Sequence, residues 1–72
     1  MSVYQLSTRE VYQTYIADGT EPAAILQTGR TELATRLRVE EELKEEDAYF
    51  AADQIMAYAQ QLQDQLQGEA PS

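Results

Sequence analysis

Residues 31–67 decide the fold, and they read TELATRLRVEEELKEEDAYFAADQIMAYAQQLQDQLQ. The stretch contains no glycine and no proline, and residues with high helix propensity dominate it. When the stretch is wound as a helix at 100° per residue, apolar residues stay on one side of the helix, as one stripe, from Leu33 to Leu66. Composition and periodicity together predict one helix of about 36 residues, roughly 54 Å long.

Charged residues interrupt this stripe for two turns in its middle. Glu40, Glu41 and Lys44 fall on the same heading as the apolar residues on either side. Two structures fit the pattern. Either one continuous helix exposes an acidic middle to water, or the chain breaks near residues 45–47 and Asp47 caps a separate C-terminal helix. The continuous helix is favoured, because nothing in the stretch is a helix breaker.

Two short helices are predicted before this stretch. Ser7-Thr8-Arg9-Glu10 is a capping box, in which Ser7 and Glu10 satisfy each other's amides, and it predicts a helix over 8–17. A proline in a first turn predicts a second helix over 21–28. Thr31 is the expected N-cap of the third helical segment.

The sequence therefore predicts an all-α domain over residues 1–67, with a disordered tail at 68–72. Two short N-terminal helices and one long C-terminal helix, whole or broken, form a helical bundle. The long segment carries a heptad seam of Ala48, Ala52, Ile55, Ala59, Leu62 and Leu66, widened by Tyr49, Phe50, Met56 and Tyr58. Two short helices are too small to cover this surface, so we expect a homodimer. The alternative is a monomeric three- or four-helix bundle in which the long segment folds back.

The net charge of −8 lies entirely in residues 39–72, which hold nine acids and one base. Such a chain is repelled by phosphate backbones and anionic lipid surfaces, which excludes direct nucleic-acid or membrane binding as the expected function. No apolar run approaches the ~20 residues that span a bilayer, and Met1 to Leu6 lacks a secretory pattern. We therefore expect a cytoplasmic protein. The acidic residues available to a partner are Glu40, Glu41, Glu42, Glu45, Glu46, Asp47 and Asp53.

Residue types that carry catalysis are scarce. There is no histidine and no cysteine, so we expect no catalytic residue, no cofactor and no metal site. The pair Glu42-x-x-Glu45 resembles, in this one fragment, the magnesium-binding helices of all-α nucleotide pyrophosphohydrolases. Those enzymes have a second acidic pair on a following helix, and Asp53 and Asp64 are not spaced to supply it. A candidate anion site lies at a helix N-terminus, where Arg30 precedes the helix and Arg36 and Arg38 follow close behind.

Three functions follow from these features. The first is a non-enzymatic regulator or adaptor that binds a protein partner through an apolar and aromatic helix surface, formed by Tyr49, Phe50, Ile55, Met56, Tyr58, Leu62 and Leu66. The second is an acidic inhibitor that imitates nucleic acid, of the phage or mobile-element type, in which rows of carboxylates on a rigid helix occupy a basic groove. The third is a magnesium-dependent hydrolase half-site that dimerisation completes.

Overall fold

The computed structural model describes residues 3–68, which form a short 3₁₀ turn and four α-helices without any strand. The 3₁₀ turn is Val3–Gln5, and the helices are α1 (Thr8–Tyr15), α2 (Pro22–Thr28), α3 (Arg30–Glu40) and α4 (Glu45–Gly68). The all-α prediction is confirmed. Helix α4 includes Gly68, and the other residues of the predicted tail, 69–72, lie outside the described part of the chain.

The two short helices begin where their caps predict. The Glu10 amide donates to Ser7 Oγ over 3.2 Å, and the Ser7 amide donates to the Glu10 carboxylate over 3.4 Å, so the capping box is complete. Pro22 occupies the first turn of α2. The expected cap at Thr31 is wrong. Gly29 occupies that position with φ +87°, and α3 begins directly after it.

The prediction of a continuous long helix is also wrong. Helix α3 ends at Glu40, and residues 41–44 turn the chain before α4 starts. Glu42 adopts a left-handed φ of 55°, and the Leu43 amide donates to the Leu37 carbonyl over 3.4 Å. A continuous helix would leave the apolar faces of α3 and α4 side by side on one rod, whereas the turn packs them against each other. The expected cap, Asp47, lies inside the first turn of α4.

Helix α4 is the centre of the molecule. The 3₁₀ turn and the other three helices each make their main contacts with α4 and few with one another. Among the described residues, the buried positions are all apolar: Val11, Ile25, Leu33, Ala34, Leu37, Ala48, Ala51, Ala52, Ile55 and Ala59. Four of the five on α4 are alanines, which lets the surrounding helices approach its backbone closely. The molecule measures 43 × 23 × 19 Å, and α4 accounts for its long dimension.

Candidate functional site

Helix α4 has two parts with different surroundings. We call residues 45–59 the covered part, because all the fully buried side chains of α4 lie there. We call residues 60–68 the uncovered end, because its side chains are exposed or half-buried. Exposure, rather than periodicity, now decides which of the predicted contact residues a partner can reach.

The aromatic residues of the covered part pack against other elements of the same chain. The Phe50 ring packs on Tyr4 of the 3₁₀ turn, with centroids 4.5 Å apart. Tyr58 packs on a tyrosine of α1 with centroids 4.9 Å apart, and the Tyr49 ring lies 4.5 Å from an arginine guanidinium of α3. These three residues were predicted to bind a partner, and the structure places them against the 3₁₀ turn, α1 and α3.

Two further residues of the predicted apolar contact set belong to the interior. Ile55, which was predicted to contact a partner, is 0% exposed and lies in the core. The predicted seam does run along this face, but α1, α2 and α3 cover it within a single chain. Met56 is half-buried and packs against the same core. Of the predicted seam, Leu62 and Leu66 lie outside the covered part.

The uncovered end continues the core-facing stripe of α4. By helical geometry Leu66 has the same heading as Ala48, and Leu62 lies between Ala51 and Ile55. In the covered part, side chains on this face of α4 are buried in the core. In the uncovered end, Leu66 is 62% exposed and Leu62 is half-buried. The apolar face of α4 is therefore longer than the helices that cover it.

A hollow of about 250 Å³ lies next to the uncovered end, and we call it the tail hollow. Its apolar lining comes from three elements and includes Tyr12, Ile16, Pro22, Tyr58 and Leu62. The Tyr12 hydroxyl is buried and has no hydrogen-bond partner among the described residues. Burial, with a smaller contribution from the neighbouring Tyr58, raises the pKa of Tyr12. Three polar residues, Gln13, Asp18 and Thr20, also line the tail hollow, which borders the half-buried Leu62.

The acidic residues gather around the connection between α3 and α4. Glu40 ends α3, Glu41 and Glu42 lie in the connection, and Glu45, Glu46 and Asp47 form the first turn of α4. Carboxylates in a first turn are favoured by the helix dipole. None of the six forms an ion pair with a basic side chain within residues 3–68. A hydrogen bond to Asp47, together with partial desolvation and the nearby charges, raises the pKa of Tyr4.

The magnesium half-site and the nucleic-acid mimic both need regularly spaced carboxylates on one helix. The break between α3 and α4 removes that spacing. Glu42 and Glu45 do not share a helix, because residues 41–44 are not helical. The same break separates Glu41 from Glu45, so the carboxylates do not form a straight row on one rigid helix. In the described part of the chain, no three acidic side chains are grouped as metal ligands.

The three arginines of the predicted anion site are not brought together. Arg30 makes an ion pair with Asp53 and stacks on Tyr49. Two glutamates of α4, Glu45 and Glu46, lie beside Arg30, and their negative charges repel an anion there. Arg36 lies 3.8 Å from Glu32 of the same helix. Arg38, in the last turn of α3, is about 12 Å along the axis from Arg30. The three arginines therefore lie in separate surroundings.

Comparison with protein families, with curated proteins and with solved structures finds no match to this chain. Within residues 3–68, no helix combines the length and the apolar character needed to cross a bilayer. Sequence reasoning missed the tail hollow, because the hollow depends on how α1 and α2 meet α4. The signal for the turn that shapes the fold was the charged interruption at residues 40–44.

Proposed function

We propose that this chain is a small acidic module for protein–protein interaction, without catalytic activity of its own, and that it works as a homodimer. The observation that carries the proposal is the uncovered end of α4, whose apolar face extends beyond the helices that bury the rest of it. Leu66 is 62% exposed on the heading that leads into the core elsewhere. The proposal treats Leu66, the half-buried Leu62 and the apolar lining of the tail hollow as one contiguous contact surface.

The charge distribution supports a second copy as the occupant of this end. Between Gln54 and Gly68, Asp64 is the single charged residue. By helical geometry it lies about 160° around α4 from Leu66, so it faces away from the apolar stripe. The acidic residues of the first turn are about 30 Å away along the helix. That distance exceeds the Debye length of ~8 Å at physiological salt, so repulsion between two acidic copies is screened.

An antiparallel pairing of two uncovered ends fits the local shape. With the twofold axis between Leu62 and Leu66, each Leu66 side chain meets the partner copy near Tyr58 and Leu62, at the edge of the tail hollow. The contact is self-complementary, as a twofold interface requires. A contact confined to the ends of two helices is smaller than a standard interface of ~800 Å² per partner. We therefore expect a weak, concentration-dependent dimer.

The test is the molar mass of the chain in solution, measured by light scattering over a wide concentration range. The wild type is expected to rise from 8.1 kDa towards twice that mass as its concentration increases. Leu66→Gln is expected to weaken dimerisation more than tenfold, because it removes an apolar contact from both copies.

The matched control is Val39→Gln. Val39 is 74% exposed on α3, away from the proposed interface, so this variant should dimerise like the wild type. A chain that stays at its monomer mass at millimolar concentration contradicts the proposal. Equal weakening by both variants also contradicts it.

The second candidate is the acidic inhibitor that imitates nucleic acid. One observation favours it: the six carboxylates at residues 40–47 make no ion pair with the chain's own described bases. It predicts a basic protein partner whose affinity falls steeply with salt and is lost in Glu41→Lys/Glu45→Lys. Binding that depends on Leu66 and not on these glutamates would reject it.

A further inference from the structure

A second hollow, of about 270 Å³, lies on α4 between α2 and α3, and we call it the α2–α3 groove. Helices α2 and α3 are joined through Gly29 alone, and both pack mainly on α4 rather than on each other. The space between them stays open. Its accessible apolar lining includes the half-buried Tyr15 and Ile16 at the end of α1 and the exposed Ala24 of α2, whereas Ile55 lies beneath and is closed to solvent.

The size and lining of the α2–α3 groove suit an apolar side chain. A cavity of ~150 Å³ with apolar walls is enough to hold a benzene ring. The groove is larger, and the apolar residues that an inserted group would contact are Tyr15, Ile16 and Ala24. One large aliphatic or aromatic side chain therefore fits, with room for part of a second.

The charge at the rim of the α2–α3 groove favours a cationic ligand. Glu40 and Glu41 line one end of the groove, and Glu42 follows them directly in the connection. Arg36 also lines it, but Glu32 lies within 3.8 Å and offsets its charge. The rim is therefore net negative, on a chain whose total charge is −8. A ligand gains most when it places an apolar group inside and positive charges beside it.

We infer that the α2–α3 groove binds a basic amphipathic helix of another protein, with one large apolar residue as the anchor and lysine or arginine one turn away. Apolar anchors at helical spacing are the usual way in which a helix occupies a groove. The two glutamates that line the rim, Glu40 and Glu41, fit cations on the docked segment. In this chain the apolar residue flanked by arginines, Leu37, is buried, so the segment belongs to a different protein. This inference does not depend on dimerisation.

The test uses a fluorescent 14-residue peptide with leucines on one helical face and lysines on the other, titrated with the full chain. The wild type is expected to bind it more tightly than a scrambled peptide of equal composition. Ala24→Leu, which places a larger side chain in the groove without changing charge, should weaken binding more than tenfold. Glu40→Gln/Glu41→Gln should weaken it roughly fivefold, with a shallower salt dependence.

The matched control is Glu46→Gln/Asp64→Asn, which removes the same charge from residues that do not line the groove. This variant should change the affinity less than twofold. Equal loss in the two charge variants, undiminished binding by Ala24→Leu, or equal binding of the scrambled peptide would each overturn the inference. Leu66→Gln should keep peptide binding while losing dimerisation, so failure of the groove and failure of the proposed dimer are distinguishable.

Discussion

The two parts of α4 have the same periodicity and different surroundings. Along the covered part, residues 45–59, the apolar stripe meets α1, α2 and α3 and is fully buried. Along the uncovered end, residues 60–68, the same stripe continues into solvent at Leu66. Periodicity therefore identifies the face of a helix that is to be buried, but the neighbouring segments decide how much of that face the chain can bury by itself.

The largest expected contrast comes from truncating one residue in each part. Ile55→Ala removes a fully buried side chain and should lower the free energy of unfolding by about 3 kcal/mol. Leu66→Ala should lower it by less than about 0.5 kcal/mol in dilute, monomeric protein. Urea denaturation measures both. Similar losses of unfolding free energy in the two variants would mean that Leu66 is packed like Ile55. The two parts of α4 would then not differ in burial.

The covered part also depends on the turn that precedes it, and Glu42 tests that turn. This residue holds a left-handed φ of 55°, which is unfavourable for any residue with a Cβ. Glu42→Gly relieves the strain, whereas Glu42→Ala removes the same charge and keeps it. Glycine should be more stable than alanine here by about 1 kcal/mol in thermal or urea unfolding. A less stable glycine variant would show that the turn is not strained.

Tyr12 tests the boundary between the two parts, where the tail hollow lies. Its hydroxyl is buried without a described partner, so Tyr12→Phe should leave stability unchanged or raise it by up to about 1 kcal/mol. The pKa of Tyr12 is raised above 10.0 in the fold. The folded state then retains the proton longer, so stability is complete below pH 10 and falls as the pH rises above it.

The same pH series separates the contributions of two tyrosines. The pKa of Tyr4 is also raised, chiefly by its hydrogen bond to Asp47. Tyr12→Phe should therefore lessen the alkaline loss of stability without abolishing it. An unchanged alkaline profile in Tyr12→Phe would contradict the burial of its hydroxyl.

The smallest effect is expected at the ion pair between Arg30 and Asp53. Both side chains are about half exposed, at 53% and 51%, so water and salt screen the pair. A double-mutant cycle with Arg30→Ala and Asp53→Ala should give a coupling energy below about 1 kcal/mol, decreasing in high salt. A larger, salt-insensitive coupling would mean that this edge of the covered part is more buried than the structure shows.

The local features of the fold could be predicted from the sequence, because their causes are local. The capping box at Ser7 and Glu10 depends on bonds that span three residues, and it is present as expected. Pro22 likewise starts α2 because its missing amide costs nothing in a first turn. The heading of the α4 stripe was also correct, since it depends only on helical geometry.

The turn at residues 41–44 could not be read from propensity. It places a glutamate in a left-handed conformation, and the compensating energy comes from packing α3 on α4. The same limit applies to the candidate site. The contacts of Tyr49, Phe50 and Tyr58 depend on how the N-terminal segments pack on α4. The spacing of residues within α4 does not reveal that packing.

In the proposed dimer, two copies meet at the uncovered ends of α4 with their acidic ends pointing outward. Because the chain has no cysteine, one spin label can be attached through Gln67→Cys and, separately, through Glu46→Cys. Pulsed dipolar spectroscopy is then expected to give a distance below about 30 Å between labels at position 67, and about 50 Å between labels at position 46. A short distance at position 46, or no intermolecular distance at position 67 in concentrated protein, would contradict the account.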